Sequence, residues 1–95
     1  MKLKFEWDEK KNAKNKRKHG ISFEDAAIVF TDSRRCEQFD QSHSLFEKRW
    51  KIIGMIGLNA LTVSFTERNG KIRIISARKA DKNELEEYFY GYKKI

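Results

Sequence analysis

The sequence has little of what builds disulfide frameworks or metal sites: one cysteine, Cys36, and two histidines. A lone cysteine cannot form an internal disulfide, and with two histidines it gives no zinc-ligand spacing, so we expect a reducing compartment and no metal or cofactor. No apolar run approaches the roughly 20 residues that cross a bilayer, and the N-terminus lacks the apolar centre of a signal peptide. These absences predict a cytoplasmic protein without membrane association.

Large apolar side chains and positive charge, by contrast, are both abundant. Hydrophobic residues make up 39% of the 95 positions, including seven Phe, three Tyr and two Trp, which is too apolar for a disordered chain. A chain of this length forms one small core, so we predict a single domain over residues 1–95. The formal net charge of +7 predicts a polyanionic partner, either nucleic acid or an acidic protein.

Hydrophobic periodicity and capping signals predict an α+β domain. Asp8 and Gly20 bracket a short polar helix as its N-cap and its C-terminal stop, and a second helix is predicted over residues 23–30. Asp81 and Glu84 form a capping-box pattern at the start of a terminal helix in the stretch DKNELEEYFYGYKKI. The predicted strands are residues 2–7, a short strand within 34–39, and three runs at 47–57, 60–67 and 71–78.

Two predicted hairpins decide which side chains share a sheet face. Asn69-Gly70 between alternating runs is a strong hairpin signal, and opposed residues of an antiparallel pair lie on one face, so Thr66 faces Arg73. A second turn begins at Gly57. One face of the three strands is then apolar, with Trp50, Ile52, Leu61, Val63, Phe65, Ile72 and Ile74. The other face carries Arg49, Lys51, Thr62, Ser64, Thr66, Arg68, Lys71 and Arg73.

This basic face has two interpretations. Antiparallel sheets often keep one face in solvent, so the cations could simply be hydrated. Like charges opposite one another destabilise a sheet by up to roughly 1 kcal/mol per pair, however, and no matching carboxylate is predicted on this face, which favours a phosphate-binding surface. Strict alternation along the strand would place Arg78 on the apolar face. Arg78 is therefore predicted to lie either beyond the sheet edge or after a bulge.

Several motifs occur in order along nearly the whole chain. They are Trp7-Asp8, a Lys- and Asn-containing helix ending in KHG, FEDA, His43-Ser44-Leu45-Phe46-Glu47-Lys48-Arg49, Thr66-Glu67-Arg68, Ile75-Ser76-Ala77-Arg78, and Glu84 four residues before Tyr88. In these motifs the chain resembles the BrnT family of bacterial toxins. The resemblance implies a RelE-like fold: a small twisted antiparallel sheet with two N-terminal helices on one face and a C-terminal helix.

The same resemblance implies a function and partners. It implies a ribonuclease toxin of a type II toxin–antitoxin system that cleaves RNA, inhibits translation and arrests growth. It further implies neutralisation by a BrnA-type antitoxin with a ribbon-helix-helix DNA-binding domain, and binding of the toxin–antitoxin complex to operator DNA. The alternative is a non-catalytic nucleic-acid-binding or corepressor subunit of such a complex.

A ribonuclease without a metal ion needs side chains that move protons and stabilise a charged transition state. Arg49, Arg68 and Arg78 are the candidate phosphate clamp, because a guanidinium binds phosphoryl oxygens in pairs and stays charged. Glu47 and His43 are the candidate proton carriers, since they precede Arg49 in the same segment and histidine titrates near neutral pH. Both residues also have a non-catalytic alternative: His43 is then a solvated loop residue, and Glu47 forms an ion pair with Arg49.

Further RNA contacts are predicted on the same face at Lys51, Lys71 and Arg73. Trp7 is either a core residue or a base-stacking residue. The helix that follows Asp8 is strongly basic, which is consistent with solvation, with RNA contact or with docking of an acidic antitoxin segment.

Overall fold

A computed structural model describes residues 3–91 of the chain. The strands in this range are β1 Phe5–Glu6, β2 Cys36–Phe39, β3 Trp50–Ile56, β4 Asn59–Arg68 and β5 Lys71–Lys79. The α-helices are α1 Glu9–His19, α2 Phe23–Ile28 and α3 Lys82–Tyr90, and short 3-10 helices form at Val29–Thr31 and Gln41–His43. The predictions for Lys2 and for residues 92–95 lie outside the described residues. None of the helices within 3–91 is long and apolar enough to span a membrane.

The five strands form one mixed sheet in the order β1-β5-β4-β3-β2. β2, β3, β4 and β5 pair antiparallel, but β1 runs parallel to β5, with Phe5 opposite Ile72. The prediction of a purely antiparallel sheet is therefore wrong for β1. The first strand is also shorter than the predicted residues 2–7. The alternation of that run predicts Leu3, Phe5 and Trp7 on one face, but Leu3 is 53% exposed. The physical reason is that only Phe5 and Glu6 pair with β5 in the described range, where Phe5 packs on Phe30, with ring centroids 5.1 Å apart, and Glu6 lies 3.8 Å from Arg73.

Both predicted hairpins form, β3–β4 in the predicted register throughout and β4–β5 in the predicted register from its turn as far as Phe65 and Ile74. Lys51 lies opposite Ser64, and Thr66 lies opposite Arg73. The turn between β4 and β5 has positive φ at both central residues, 55° at Asn69 and 75° at Gly70, which is the backbone of the type I′ hairpin turn.

A bulge decides where Arg78 points. The β4–β5 register shifts by one residue between Ser64 and Phe65, so that Arg78 comes to lie opposite Thr62. Since side chains alternate along a strand and the neighbouring Val63 belongs to the core, Thr62 and Arg78 lie on the face away from the core. Of the two predicted alternatives for Arg78, the bulge is the one that forms.

The core lies between one face of the sheet and the segment that contains α2. Its buried side chains are Ile21, Phe23, Ala26, Val29, Phe30, Ile52, Leu61, Val63, Phe65, Ile74 and Ala77. Gly54 of β3 permits this packing, because a Cβ atom there would lie 3.0 Å from both the Cβ and the carbonyl oxygen of Val29. The predicted apolar face of the three strands is thus the face that the core uses.

Helix α1 attaches to the rest of the fold through two buried asparagines. Asn15 Nδ2 donates to the carbonyls of Ile21 (2.9 Å) and Ala77 (2.8 Å), and its Oδ1 accepts from Ala77 N at 3.1 Å. Asn12 Oδ1 accepts from Phe23 N at 2.8 Å. The basic side chains of the helix, which we name the basic ridge, are all exposed: Lys10, Lys11, Lys14, Lys16, Arg17 and Lys18.

Asp32 connects α3 to β3. Its Oδ2 accepts from the Tyr88 hydroxyl and from Met55 N at 2.8 Å, and its Oδ1 accepts from Arg34 N at 2.9 Å. Burial alone would raise the pKa of the Asp32 carboxyl, but the hydrogen bonds from Tyr88, Arg34 and Met55 outweigh it and lower that pKa. Burial and the same carboxylate raise the pKa of Tyr88 to about 12. The helix is therefore anchored by a charge-assisted hydrogen bond.

Candidate active site

The loop of residues 40–49 joins β2 to β3 and is closed at its base. Asp40 N donates to the carbonyl of Arg49 at 2.9 Å, and Arg49 N donates to Ser44 Oγ at 2.9 Å. Thr66 Oγ1 on β4 donates to the carbonyl of Lys48 at 2.6 Å. These bonds hold the loop that carries both predicted proton carriers against the ends of the central strands.

Glu47 lies at the centre of an arginine cluster, which we define as Glu47, Arg49, Arg68 and Arg73. Arg68 Nη2 donates to Glu47 Oε2 at 2.9 Å, and Arg49 Nε lies 3.7 Å from Glu47 Oε1. The hydrogen bond from Arg68 lowers the pKa of Glu47, and the charges of Arg68, Arg49 and Arg73 lower it further. The cluster thus surrounds one ionised carboxylate with three guanidinium groups.

The carboxylates in this region correct an expectation drawn from the sequence. No matching acid was predicted on the basic face, yet Glu47 pairs with two arginines, Glu6 Oε2 lies 3.8 Å from Arg73 Nη1, and Glu84 pairs with Arg78. The reason is that Glu6 and Glu84 belong to β1 and α3, outside the three strands from which the face was predicted. Glu47 begins the predicted run 47–57 but lies in the loop before β3, where it forms the ion pair with Arg49 that was one of the roles left open for it.

One guanidinium nitrogen in the cluster has no acceptor. Arg49 Nε is shielded from solvent and makes no hydrogen bond to any residue within 3–91. A pocket of about 360 Å³ is lined by Glu47, Lys48, Trp50, Thr66 and Glu67. The site therefore combines a buried unsatisfied donor with a pocket that is lined by the carboxylate of the cluster and by the two chain neighbours of Arg49.

His43 is held by a carboxylate that the sequence reasoning missed. Its Nδ1 lies 3.1 Å from Asp40 Oδ1 and 3.0 Å from Asp40 Oδ2, and Ser42 Oγ donates to Asp40 Oδ1 at 2.9 Å. Burial raises the pKa of Asp40, but the hydrogen bonds from His43 and Ser42 outweigh burial and lower it. This leaves Nε2 of His43 for another partner. The sequence did contain a signal for this contact, because Asp40 directly follows a strand and precedes His43 by three residues.

Arg78 lies apart from the arginine cluster. Its partner on β4, Thr62, is six residues from Arg68, which corresponds to about 20 Å along the strand. Arg78 Nη1 and Nη2 donate to the two carboxylate oxygens of Glu84 at 2.7 and 2.8 Å. Burial opposes ionisation of Glu84, but the Arg78 pair and the hydrogen bond from Asp81 N lower its pKa to about 2. The predicted capping box of Asp81 and Glu84 forms, so the capping residue of α3 also binds an arginine.

The other predicted RNA contacts lie around the same end of the sheet or in the core. Lys51 is close enough to Asp40 for its charge to lower the pKa of that carboxyl. Lys71 is exposed at the β4–β5 turn, opposite Arg68. Trp7 packs edge to face on Phe23, with centroids 6.2 Å apart, and its indole N–H donates to Glu9, an arrangement typical of a core residue.

No group of three or more His, Cys, Asp or Glu side chains that could hold a metal ion is found in the part of the chain that the structure describes.

Comparison with known proteins adds one finding. Residues 7–84 match the model of a family described as the ribonuclease toxin BrnT of type II toxin–antitoxin systems. No curated protein matches the chain. The matched range includes all four residues of the arginine cluster, His43, Arg78 and Glu84.

Proposed function

Since the chain belongs to the BrnT family of ribonuclease toxins of type II toxin–antitoxin systems, we propose that it is an endoribonuclease that cleaves RNA without a metal ion. We propose that residues 1–95 form a single RelE-like toxin domain whose activity inhibits translation and growth. The proposed active site is the arginine cluster with His43. The observation that supports it is the convergence of Arg49 and Arg68 on the one carboxylate of Glu47.

In the protein without RNA, the Glu47 carboxylate occupies the position that we propose for an RNA phosphate. The carboxylate offers one oxygen to Arg68 and the other to Arg49, and a phosphodiester likewise offers two non-bridging oxygens to paired guanidinium groups. The unsatisfied Arg49 Nε gains an acceptor when phosphate binds, which removes the cost of a buried free donor. The same groups then stabilise the charge that develops on the phosphoryl oxygens.

The proposed chemistry uses the RNA 2′-hydroxyl as nucleophile. Its oxygen forms a bond to phosphorus, the bond from phosphorus to the 5′-oxygen of the next nucleotide breaks, and a cyclic phosphate remains. Glu47 accepts the hydroxyl proton. Its pKa is lowered chiefly by Arg68, so transfer of Arg68 to the phosphate restores part of its basicity. His43, oriented by Asp40, donates a proton from Nε2 to the leaving oxygen.

The remaining cations have supporting roles. Arg73 adds positive potential within the cluster, and Lys51 and Lys71 contact neighbouring phosphates outside the reaction centre. Arg78, at about 20 Å from Arg68 along the strand, exchanges Glu84 for a phosphate farther along the RNA.

The proposed partner is a BrnA-type antitoxin with a ribbon-helix-helix domain. It neutralises the toxin in the cytoplasm, and the complex binds operator DNA. Membership of a type II toxin family supports an antitoxin partner. The basic ridge suits either the RNA backbone or an acidic antitoxin segment.

Primer extension tests the proposed reaction. The purified chain, incubated with a transcript in excess EDTA, should generate new 5′ ends, and a 2′-deoxynucleotide at the cleaved position should abolish them. An Arg49→Ala, Arg68→Ala double variant should generate none, and coexpressed antitoxin should restore growth of cells that express the wild-type chain.

The non-catalytic alternative predicts a different result. A subunit that only binds nucleic acid or acts as a corepressor would retain RNA with a steep salt dependence but would produce no new ends. The ion pairs that already neutralise the arginines are compatible with this alternative. Wild-type protein that binds but does not cut would therefore replace the ribonuclease proposal with it.

A further inference from the structure

Two consecutive apolar side chains of the loop protrude into solvent next to the arginine cluster. Leu45 is 83% exposed and Phe46 is 95% exposed, and Phe46 is the residue directly before Glu47. Other aromatic residues near the loop have ring partners: Phe39 packs on Trp50 with centroids 5.0 Å apart. Phe46 has no ring contact with any residue in the described range. Both faces of its ring are therefore available.

We propose that Phe46 stacks on a base of the RNA substrate and fixes which phosphate enters the arginine cluster. This inference rests on the proposed ribonuclease function and names a specificity-determining residue for it. Aromatic side chains bind single-stranded RNA by stacking on unpaired bases, while arginines beside them bind the backbone. Phe46 and Glu47 are adjacent in the chain, so their Cα atoms are about 3.8 Å apart. A nucleotide stacked on Phe46 therefore brings its own phosphate to Arg49 and Arg68.

The charge of the surroundings favours RNA over a protein as the occupant. Phe46 directly precedes Glu47, whose carboxylate binds Arg68 and Arg49, and Lys71 lies opposite Arg68. An apolar ring next to a basic cluster matches a nucleotide, which has a flat apolar base attached to an anion. An apolar protein segment would match the ring but not the charges.

The fold offers a matched control for Phe46. Leu58, in the turn between β3 and β4, is also apolar and is 96% exposed, but it lies at the opposite end of β3 from the loop. Phe46→Ala and Leu58→Ala thus remove equally exposed apolar side chains, one beside the cluster and one remote from it. We expect Phe46→Ala to raise KM about 5- to 150-fold with kcat little changed, and Leu58→Ala to leave KM unchanged. Phe46→Tyr should retain the wild-type KM.

An abasic scan identifies the stacked nucleotide. In wild-type protein, removing one base next to the cleaved phosphate should raise KM as much as Phe46→Ala does. In the Phe46→Ala variant, removing the same base should cost nothing more, because the two changes delete one interaction. Additive effects of the two changes would overturn the inference.

A binding measurement separates this inference from the ribonuclease proposal. With an uncleavable 2′-deoxy-substituted oligonucleotide, Phe46→Trp fluorescence should be quenched on binding, whereas Leu58→Trp fluorescence should not. RNA cleavage together with an unquenched Phe46→Trp signal and an unchanged KM in Phe46→Ala would overturn stacking alone. Quenching without any cleavage would overturn the ribonuclease proposal and keep stacking. Loss of antitoxin binding in Phe46→Ala, with RNA kinetics unchanged, would assign the ring to the protein partner instead.

Discussion

The arginine cluster and the basic ridge of α1 are both strongly basic, but they hold their charges in different ways. In the cluster, Arg68 and Arg49 lie 2.9 and 3.7 Å from the carboxylate oxygens of Glu47. On the ridge, no lysine or arginine forms an ion pair within 4.0 Å of a described carboxylate. One region has cations oriented by contact ion pairs, and the other has solvated cations without such contacts.

This difference separates a geometric role from an electrostatic one. A guanidinium held by a carboxylate loses little further conformational entropy when a phosphate replaces that carboxylate, so the cluster is suited to bind one phosphate in a fixed position. Unpaired lysines attract any polyanion over about a Debye length and impose no register. Four sets of variants can test this division of roles.

Arg68→Ala should give the largest effect, because it removes the guanidinium that binds Glu47 most closely. We expect kcat/KM for RNA cleavage to fall by about 10² to 10³. The matched control is Arg35→Ala, which removes another paired arginine, 3.9 Å from Glu37 and outside the cluster. Equal losses in the two variants, measured by single-turnover cleavage, would mean that net charge and not the oriented cluster drives the reaction.

Asp40→Asn tests whether orientation extends from the arginines to the proton donor. The variant keeps the shape of the side chain but loses the negative charge that holds His43 Nδ1, so we expect kcat to fall about 10- to 100-fold with KM unchanged. A His43→Asn, Asp40→Asn double variant should be no slower than His43→Asn alone, since Asp40 acts through His43. A further loss in the double variant would argue against this coupling.

Glu84→Gln tests the paired arrangement at Arg78 through its pH dependence. The pKa of Glu84 is lowered from 4.5 to about 2, so its ion pair stabilises the fold above pH 4.5, and this contribution is lost as the pH falls from 4.5 to about 2. Because Arg78 is partly solvated, we expect the variant to lose about 1 to 2 kcal/mol of unfolding free energy at pH 7. Urea denaturation at several pH values measures this. A difference that persists at pH 2 would rule out the titration of Glu84 as its cause.

The smallest effect is expected on the basic ridge. Lys14→Ala with Arg17→Ala removes two unpaired cations, so we expect RNA affinity to fall about 3- to 10-fold and the salt slope to decrease by about 0.7 for each RNA phosphate that is no longer neutralised. kcat should not change. Filter binding across a salt series measures the slope. An unchanged slope with weaker antitoxin binding would assign the ridge to the protein partner.

Local signals in the sequence predicted most of the fold. Asn69-Gly70 fixed the β4–β5 register, and Asp81 with Glu84 marked the start of α3, because both depend on neighbours in the chain. The parallel pairing of β1 could not be predicted, since a two-residue strand carries no directional pattern. The burial of Asn12 and Asn15, which attach α1, could not be predicted either, because polar residues in a polar helix give no sign that they are buried.

The candidate site was less predictable than the fold. The arginines were found by strand alternation, but their partners Glu6 and Glu84 come from β1 and α3, and distances between separate segments are not encoded in periodicity. The pairing of Glu47 with Arg49 was one predicted alternative, but its closer pairing with Arg68 was not predicted. Parity also could not place Arg78, because a bulge reverses the alternation without changing the residue pattern.

The bulge makes the length of β5 as important as its composition. Between Ile74 and Ser76 the chain carries one residue more than its partner strand, Ile75. Deleting Ile75 would leave Ala77 opposite Val63 and Arg78 opposite Thr62 in an uninterrupted ladder, so the core face would keep its side chains. Deleting Ala77 would instead bring Arg78 opposite Val63 and place a guanidinium against the apolar interior. Along β5, the damage caused by losing one codon therefore depends on the side of the bulge from which the codon is lost.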